Sequence, residues 1–212
     1  MKKDNLSFQN IFYIFLFGCF FGWIVEGIWS YLKRGLLLNH SALVIGPFNV
    51  VYGLSAVVLT MFLYKVKEKK YFQVFLISFI IGTILEYFMS FSMETLLGFV
   101  AWNYSKKPFN IHGRVCLMYS LFWGVLGLVW IKLIYPKIQK IIVKFDRRRS
   151  KNFVVIMIIF LIFNTFLTFS AVKRGKEFEQ DIPPQNSFEE VLDNYFGVDY
   201  LNNMYNNRWN KK

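Results

Sequence analysis

The chain has 212 residues, of which 55% are hydrophobic and 20% aromatic, and its formal net charge is +12. This apolar fraction exceeds the level usual in soluble domains, and the apolar residues form runs long enough to cross a bilayer. Lysine and arginine stand beside these runs, as in loops that face anionic lipid, so the basic charge does not indicate nucleic-acid binding. We therefore expect an all-α integral membrane protein without a nucleic-acid partner.

The apolar runs predict five transmembrane helices followed by a soluble tail. The predicted helices cover residues 8–32, 47–64, 72–93, 115–135 and 153–172. The first run is too long for the core of a signal peptide and contains Glu26, so we interpret it as an uncleaved helix. The transmembrane domain is expected over residues 1–172 and the tail over residues 173–212. Cys19 and Cys116 lie within apolar runs and are expected to be buried thiols.

Two segments outside the predicted spans have amphipathic patterns. Residues 137–149 place apolar side chains on one helical face and lysines on the other, which predicts a basic helix on the membrane surface. The basic loop over residues 136–151 is therefore expected to contact anionic lipid. In the tail, the spacing from Ser187 to Glu190 is that of a capping box, which predicts a short docked helix over residues 187–196.

A glycine, a glutamate and a serine recur four residues apart in the first and third predicted helices. They are Gly22, Glu26 and Ser30 in one helix, and Gly82, Glu86 and Ser90 in the other. At 3.6 residues per turn, this spacing places each set on one helical face. A carboxylate within an apolar span usually faces protein or a water-filled cavity, which indicates a functional position. The recurrence predicts an internal repeat, in which helices 1–2 correspond to helices 3–4.

The segments before the second and fourth helices also correspond. Gly46 precedes Tyr52 by six residues, and Gly113 precedes Tyr119 by the same interval. Pro47 is expected at the start of the second helix, where its missing N–H would be unpaired in any case. Loops on the side of the N-terminus carry more lysine and arginine, so the positive-inside rule predicts a cytoplasmic N-terminus and an extracytoplasmic tail. Helices 1–2 and 3–4 would then be parallel repeats.

In this orientation, candidate binding residues gather in the outer half of the membrane. Glu26 and Glu86 fall there by residue count, and helices two and four direct their partly positive N-termini toward the same layer. The candidate substrate-binding residues are Glu26, Glu86, Glu94, Trp102, Tyr104, Asn110, His112 and Arg114. Several lie in or beside the connection over residues 95–112, whose length is typical of a functional or partly re-entrant loop. The cluster could be a buried ion-pair network, such as Arg114 with Glu86 or Glu26, or a pocket for a small molecule, ion or lipid headgroup.

Several short motifs occur between residues 10 and 130. They are Gly22-x-x-x-Glu26, Gly46-Pro47 with Tyr52-Gly53, Glu86, Trp102-x-Tyr104-Ser105, Pro108-Phe-Asn-x-x-Gly113-Arg114 and Trp123-Gly124. With these residues the chain resembles a family of bacterial membrane proteins, often called CmpB-like, that are provisionally titled type-IV ABC-transporter permeases. The chain departs from the family pattern at Asn103, at Val50 and at Ser41-Ala42, where we expect aspartate, proline and Arg-Gly.

The resemblance implies a transport permease. The leading interpretation is a permease subunit or substrate-binding membrane subunit with Glu26, Glu86 and Arg114 at its polar centre. Because the sequence lacks the Gly-x-x-x-x-Gly-Lys-Ser/Thr loop, ATP hydrolysis would need a separate ATPase subunit. The basic loop over residues 136–151 is a candidate contact for that subunit. The sequence leaves open whether the chain forms a homo-oligomer.

Two other classes of function stay open. One is a non-transporting envelope protein that binds lipid or stabilises a membrane complex. The other is an intramembrane hydrolase, in which His112 with Glu94 or Glu86 would supply acid–base or metal chemistry. Since the sequence contains no His-Glu-x-x-His motif and no evident spacing for a serine nucleophile, we expect no enzymatic activity, no metal and no cofactor.

Overall fold

The computed structural model describes residues 7–37, 39–97, 100, 102–142, 144 and 147–205. Within them the chain forms helices α1 (Phe8–Arg34), α2 (Val50–Leu63), α3 (Tyr71–Leu97), α4 (Leu117–Val129), α5 (Tyr135–Ile142), α6 (Arg147–Glu179), α7 (Ser187–Phe196) and α8 (Val198–Tyr205). A short antiparallel hairpin pairs β1 (Asn110–Ile111) with β2 (Val115–Cys116). The predicted all-α fold is confirmed.

Within the described residues, four helical segments are long and apolar enough to cross a membrane. They are Phe8–Lys33, Tyr71–Thr95, Leu117–Ile142 and Ser150–Glu179. The segment Val50–Val66, which joins α2 to the short 3-10 turn after it, is apolar but has fewer residues. At 1.5 Å per residue it rises about 25 Å, less than the roughly 30 Å thickness of a bilayer core. The chain is a multi-pass membrane protein with one shortened helix.

The chain divides into two compact units, and the division falls within α2. The first unit comprises Met1–Gly53 and Phe145–Lys212, and the second comprises Leu54–Lys144. The first unit therefore holds α1, the start of α2, α6 and the tail helices. The second unit holds the rest of α2, α3, the hairpin, α4 and α5. The two helices that carry the recurring glutamate, α1 and α3, belong to different units.

In the first unit, α1 packs closely against the first turn of α2. A Cβ atom added to Gly22 would overlap the side chain of Tyr52, and one added to Gly53 would overlap Cys19 and Phe15. Small residues at such positions let two helix backbones approach, as membrane helices commonly require. Cys19 is free and fully buried in this contact, which confirms the predicted buried thiol.

In the second unit, α3 and α4 make an equally close contact. A Cβ atom on Gly82 would overlap the side chain of Trp123, and one on Gly124 would overlap the ring of Phe75. Glycines on both helices therefore accept large aromatic side chains from the opposite helix. Cys116, just before α4, is free and buried, as predicted.

Helix α2 begins at Val50 instead of the predicted residue 47. Asn49 lies just before it, and its side-chain oxygen accepts a hydrogen bond from the backbone N–H of Tyr52 at 3.4 Å. Asparagine is among the preferred N-cap residues, so the cap is set by Asn49 and Pro47 lies in the bend before the helix. Val50, where the resembled family has proline, is the first helical residue, a position that favours proline.

The fourth predicted helix continues past residue 135. A π-helical segment, Trp130–Ile134, follows α4 and leads directly into α5. Helix α5 has the predicted amphipathic character, with Ile138 and Ile142 buried. It differs from the predicted surface helix over residues 137–149 because it extends a membrane-spanning element and ends at Ile142, before α6 begins at Arg147. Residues 143, 145 and 146 lie outside the described residues.

The tail forms two helices instead of one. Helix α7 covers the predicted residues 187–196, but Asn186 is its N-cap and accepts from the backbone N–H of Glu189 at 3.0 Å. The Glu189 carboxylate in turn accepts from the backbone N–H of Gln185 at 2.7 Å. The capping box therefore lies one residue earlier than predicted, because asparagine caps a helix as well as Ser187 would.

Both tail helices pack on the last part of α6, which runs to Glu179 instead of ending near residue 172. The shared apolar core contains Val44, Leu167, Ala171, Val172, Leu192, Leu201 and Met204. Because Leu192 comes from α7 and Leu201 and Met204 come from α8, each tail helix contributes buried side chains to the first unit. The tail is thus part of the folded unit and not a detached extension.

Candidate functional site

The first carboxylate, Glu26, is held by side chains from the chain that follows α1. The phenol of Tyr52 donates a hydrogen bond of 2.8 Å to Glu26 Oε1. His40 Nδ1 lies 4.0 Å from Glu26 Oε2, and both side chains are partly exposed, at 23% for His40 and 30% for Glu26. Since Gly22 leaves room for Tyr52 against α1, the glycine and the glutamate of the predicted stripe act together in placing the phenol.

An asparagine and a tryptophan fix the loop that carries His40. The indole N–H of Trp23 donates to Asn39 Oδ1 at 3.2 Å, and the Ser41 hydroxyl donates to the same oxygen at 2.8 Å. The side-chain amide of Asn49 donates to the backbone oxygen of His40 at 3.1 Å. This network aligns the non-helical segment after α1, described over residues 35–37 and 39–49, along α1 from the end of that helix back toward Glu26.

The far end of this segment lies at the level of the middle of two spanning helices. The backbone N–H of Asn49 donates to the backbone oxygen of Cys19, the twelfth of 27 residues in α1, at 3.2 Å. Ile45 exchanges two hydrogen bonds with Asn164, through its N–H at 3.1 Å and through its carbonyl at 2.7 Å. Asn164 is fully buried and is the eighteenth of 33 residues in α6. The segment is therefore re-entrant, and α2 starts near mid-span.

The second carboxylate, Glu86, lies in the second unit and is 6% exposed. The phenol of Tyr104 donates a hydrogen bond of 3.0 Å to Glu86 Oε1. The ring of Tyr104 stacks on the ring of Tyr119 with centroids 4.5 Å apart. Each recurring glutamate thus accepts a tyrosine hydrogen bond, but Tyr52 comes from a helix and Tyr104 from a loop. The internal repeat stays a prediction.

Arg114 pairs with Glu94, another of the predicted binding residues. Its guanidinium forms an ion pair with Glu94 and donates to the Ser90 hydroxyl at 3.3 Å. It also lies near the rings of Tyr87, at 5.9 Å, and Phe91, at 5.5 Å. The suggested partners Glu86 and Glu26 are not those of this ion pair. Arg114 joins the hairpin to the last turns of α3.

The remaining predicted site residues organise the hairpin. Trp102 donates its indole N–H to the backbone oxygen of Arg114 at 2.8 Å. The Asn110 side-chain oxygen accepts from the N–H of Gly113 at 3.1 Å, so Asn110 stabilises the turn. His112 Nδ1 and the phenol oxygen of Tyr87 are hydrogen-bonded at 2.8 Å. His112 and Gly113 both have positive φ, at 52° and 68°, a conformation that glycine adopts easily.

The structure therefore arranges the predicted residues in two groups, one in each unit. Glu26 is grouped with Tyr52, while Glu86, Tyr104, Glu94, Arg114, Trp102, Asn110 and His112 belong to the second unit. The sequence analysis did not assign His40, Asn39 or Asn49 to a site. The signal available for Asn49 was its place directly before an apolar helical run, where asparagine favours an N-cap.

The fold and these sites define a multi-pass membrane protein with hydrogen-bonded carboxylates inside two of its spanning helices. A family model described as "Putative ABC-transporter type IV" (ABC_trans_CmpB) matches residues 13–169. This match covers well over half of the chain, so the chain belongs to that family. No curated protein and no solved structure was found to match it.

Proposed function

We propose that this chain is the membrane-embedded subunit of a transport system and that it binds its cargo at the Glu26 and Glu86 sites. ATP hydrolysis belongs, in this proposal, to a separate subunit. Membership of the ABC-transporter family supports a role in transport. The proposal places the N-terminus in the cytoplasm and the tail outside, following the charge distribution of the loops. It assigns no enzymatic activity to this chain.

The observation that carries the proposal is the re-entrant segment over residues 35–49. Non-helical backbone at membrane depth is tolerated where it is buried in protein or lines a water-filled cavity. Transporters commonly build their substrate sites from such interrupted helices near the middle of the bilayer. His40 of this segment lies beside Glu26, and α2 starts at Val50, directly after the segment. A structural anchor alone would need neither an intramembrane carboxylate nor an interrupted helix.

The chemistry of both sites favours a cargo with positive charge or hydrogen-bond donors. Each site presents a carboxylate together with a phenol, through Glu26 with Tyr52 and Glu86 with Tyr104. A carboxylate in a low-dielectric environment attracts a cationic group more strongly than it does in water. The phenol fixes one carboxylate oxygen and so orients the other. Aromatic rings at the same place add contacts for a cation.

The proposed coupling surface is the basic region on the N-terminal side of the membrane. Lys137 and Lys140 are exposed on α5, and the basic segment over residues 136–151 is expected to contact anionic lipid or the ATPase subunit. Both contacts are electrostatic, so each should weaken as ionic strength rises.

The test measures the distribution of small molecules between the inside and the outside of cells. The cells lack their own copy of this protein and carry a variant in its place. Untargeted mass spectrometry is applied to cells carrying wild-type protein, Glu26→Gln or Glu86→Gln, with Glu68→Gln as the matched control on an exposed carboxylate. We expect wild type and Glu68→Gln to restore the distribution of at least one cationic or polar compound. We expect both site variants to fail at normal membrane abundance.

Three outcomes contradict this proposal. If the distribution of small molecules is the same with and without the protein, while a membrane complex is lost, the envelope-protein alternative is correct. If the Glu26 and Glu86 variants transport normally, the carboxylates do not bind cargo. If a compound accumulates uncleaved on both sides of the membrane in cells that lack the protein, the hydrolase alternative is favoured.

A further inference from the structure

The tail helix α7 presents three different faces. At 100° per residue, Leu192 and Phe196 lie on the side that packs into the first unit, and Glu190 and Asn194 lie on the opposite, polar side. Between them runs a third set of side chains, Phe188, Val191 and Tyr195, which fall within about 60° of one another. We name this set the α7 stripe. Its members are 43%, 49% and 72% exposed, although all are apolar or aromatic.

The α7 stripe continues the exposed apolar face of a membrane-spanning helix. The ring of Phe188 stacks on the ring of Phe166 in α6, with centroids 6.0 Å apart and planes 26° apart. Phe166 is 57% exposed, and its neighbours Ile162 and Phe163 are 66% and 55% exposed. In a multi-pass membrane protein, such a face of a spanning helix contacts lipid. Phe188 therefore lies where the lipid-facing surface of α6 reaches the tail.

Charges on α7 are kept away from the stripe. Arg174 of α6 donates two hydrogen bonds to Asp193, at 3.0 and 2.7 Å, and one to Glu177 at 2.7 Å. Arg174 is 5% exposed, so Asp193 is paired on the side of α7 that faces α6, beside Glu177 of α6 itself. Glu190 lies on the polar face, opposite the packed side. Insertion of the stripe into lipid would thus leave the paired charges in place.

We propose that the α7 stripe lies among the lipids of the leaflet around the last part of α6, with Phe188 at the depth of Phe166. A helix held in this way has an apolar face toward the acyl chains and a polar face away from them. Aromatic residues such as Tyr195 are enriched at the boundary between lipid and water, where an apolar ring and a polar hydroxyl both find partners. The tail is then a membrane-seated element and not a soluble one. The inference is independent of the proposed transport function.

The polarity of the surroundings can be measured with nitroxide labels on the full chain reconstituted in phosphatidylcholine vesicles. Val191→Cys places a label on the stripe, and Asn194→Cys places a matched label on the polar face of the same helix. Ile159→Cys, on the 63% exposed position of α6, provides the lipid-facing reference. The native Cys19 and Cys116 are 0% and 1% exposed, so the introduced cysteines react preferentially.

We expect the ratio of collision rates with oxygen to those with a water-soluble nickel chelate to be several-fold higher at residue 191 than at residue 194. The value at 191 should approach that at 159, because oxygen concentrates in the bilayer and the chelate is excluded from it. Equal ratios at 191 and 194, both dominated by the chelate, would overturn the proposal by placing the stripe in water. A label at 191 that is shielded from both reagents would also overturn it, because the stripe would then be covered by protein.

Discussion

Each intramembrane glutamate accepts a hydrogen bond from a tyrosine, yet the two tyrosines occupy different places in the chain. Tyr52 follows Gly46 by six residues and donates to Glu26, and Tyr119, at the same interval after Gly113, stacks on Tyr104, whose phenol donates to Glu86. Glycine, glutamate and serine share one face in each helix because a spacing of four residues is close to one helical turn. The tyrosine partners come from other segments, Tyr52 from α2 and Tyr104 from the connection before the hairpin. Side-chain type was therefore predictable at these sites, and pairing was not.

A double-mutant cycle tests the ion pair of Arg114 with Glu94. Arg114→Gln and Glu94→Gln should each lower the thermal unfolding midpoint of the detergent-solubilised protein, and the double variant should lose less than the sum. Glu94 is 43% exposed, so we expect a coupling free energy of only about 0.5–1 kcal/mol. The matched cycle of Arg114→Gln with Glu86→Gln should be additive to within about 0.5 kcal/mol. Strong coupling in that second cycle would instead make Glu86 the energetic partner of Arg114.

At the scale of elements, the ends of the helices depend on capping side chains more than on hydropathy. The apolar runs predicted the positions of α1 and α3 to within a few residues, because hydrophobic length determines where a helix can span a bilayer. The start of α2 was predicted three residues too early, since Asn49 caps the helix after Pro47. Likewise the cap of α7 is Asn186 and not Ser187. Adjacent residues with similar capping preference cannot be separated by sequence pattern alone.

The cap of α7 can be tested with two neighbouring alanine substitutions. Asn186→Ala should destabilise α7 by about 1 kcal/mol, because the N–H of Glu189 loses its side-chain acceptor. Ser187→Ala should change the stability by less than about 0.5 kcal/mol, since Ser187 is an exposed residue inside the helix. Limited proteolysis of the tail measures how readily α7 opens in each of the two variants. If the two variants are equally sensitive to protease, or if Ser187→Ala is more sensitive, Asn186 is not the dominant cap and the prediction of Ser187 stands.

At the scale of the whole molecule, the re-entrant segment is held by side chains far away in the sequence. Ile45 and Asn164 are 119 residues apart in the sequence. The N–H of Val44 donates to the hydroxyl of Thr168 at 3.0 Å, and these two residues are 124 residues apart. From its length, the connection over residues 95–112 is typical of a functional or partly re-entrant loop. In residues 39–49, which the structure brings back along α1, Asn164 and Thr168 satisfy backbone groups that lipid would leave unpaired.

Replacing Asn164 should release this segment. In Asn164→Leu, both the N–H and the carbonyl of Ile45 lose their partners, which should cost about 1–3 kcal/mol of stability because the leucine that replaces the buried Asn164 offers no hydrogen bond. Hydrogen exchange measured by mass spectrometry should show faster exchange in residues 42–49. Thr165→Ala, one residue along the same helix, is the control and should leave that exchange unchanged. Slow exchange in Asn164→Leu would mean that other contacts hold the segment.

The all-α, multi-pass architecture, the resemblance to the CmpB-like family and the positions of Glu26 and Glu86 within helices could be predicted from the sequence. These properties depend on hydrophobic length, helical period and short motifs, which involve neighbouring residues. The partners of each carboxylate, the segment that returns along α1 and the docking of the tail on α6 required the structure. These features depend on hydrogen bonds and packing between segments that are distant in the sequence. Every buried polar group there needs a partner, and the sequence contains many residues of a suitable type.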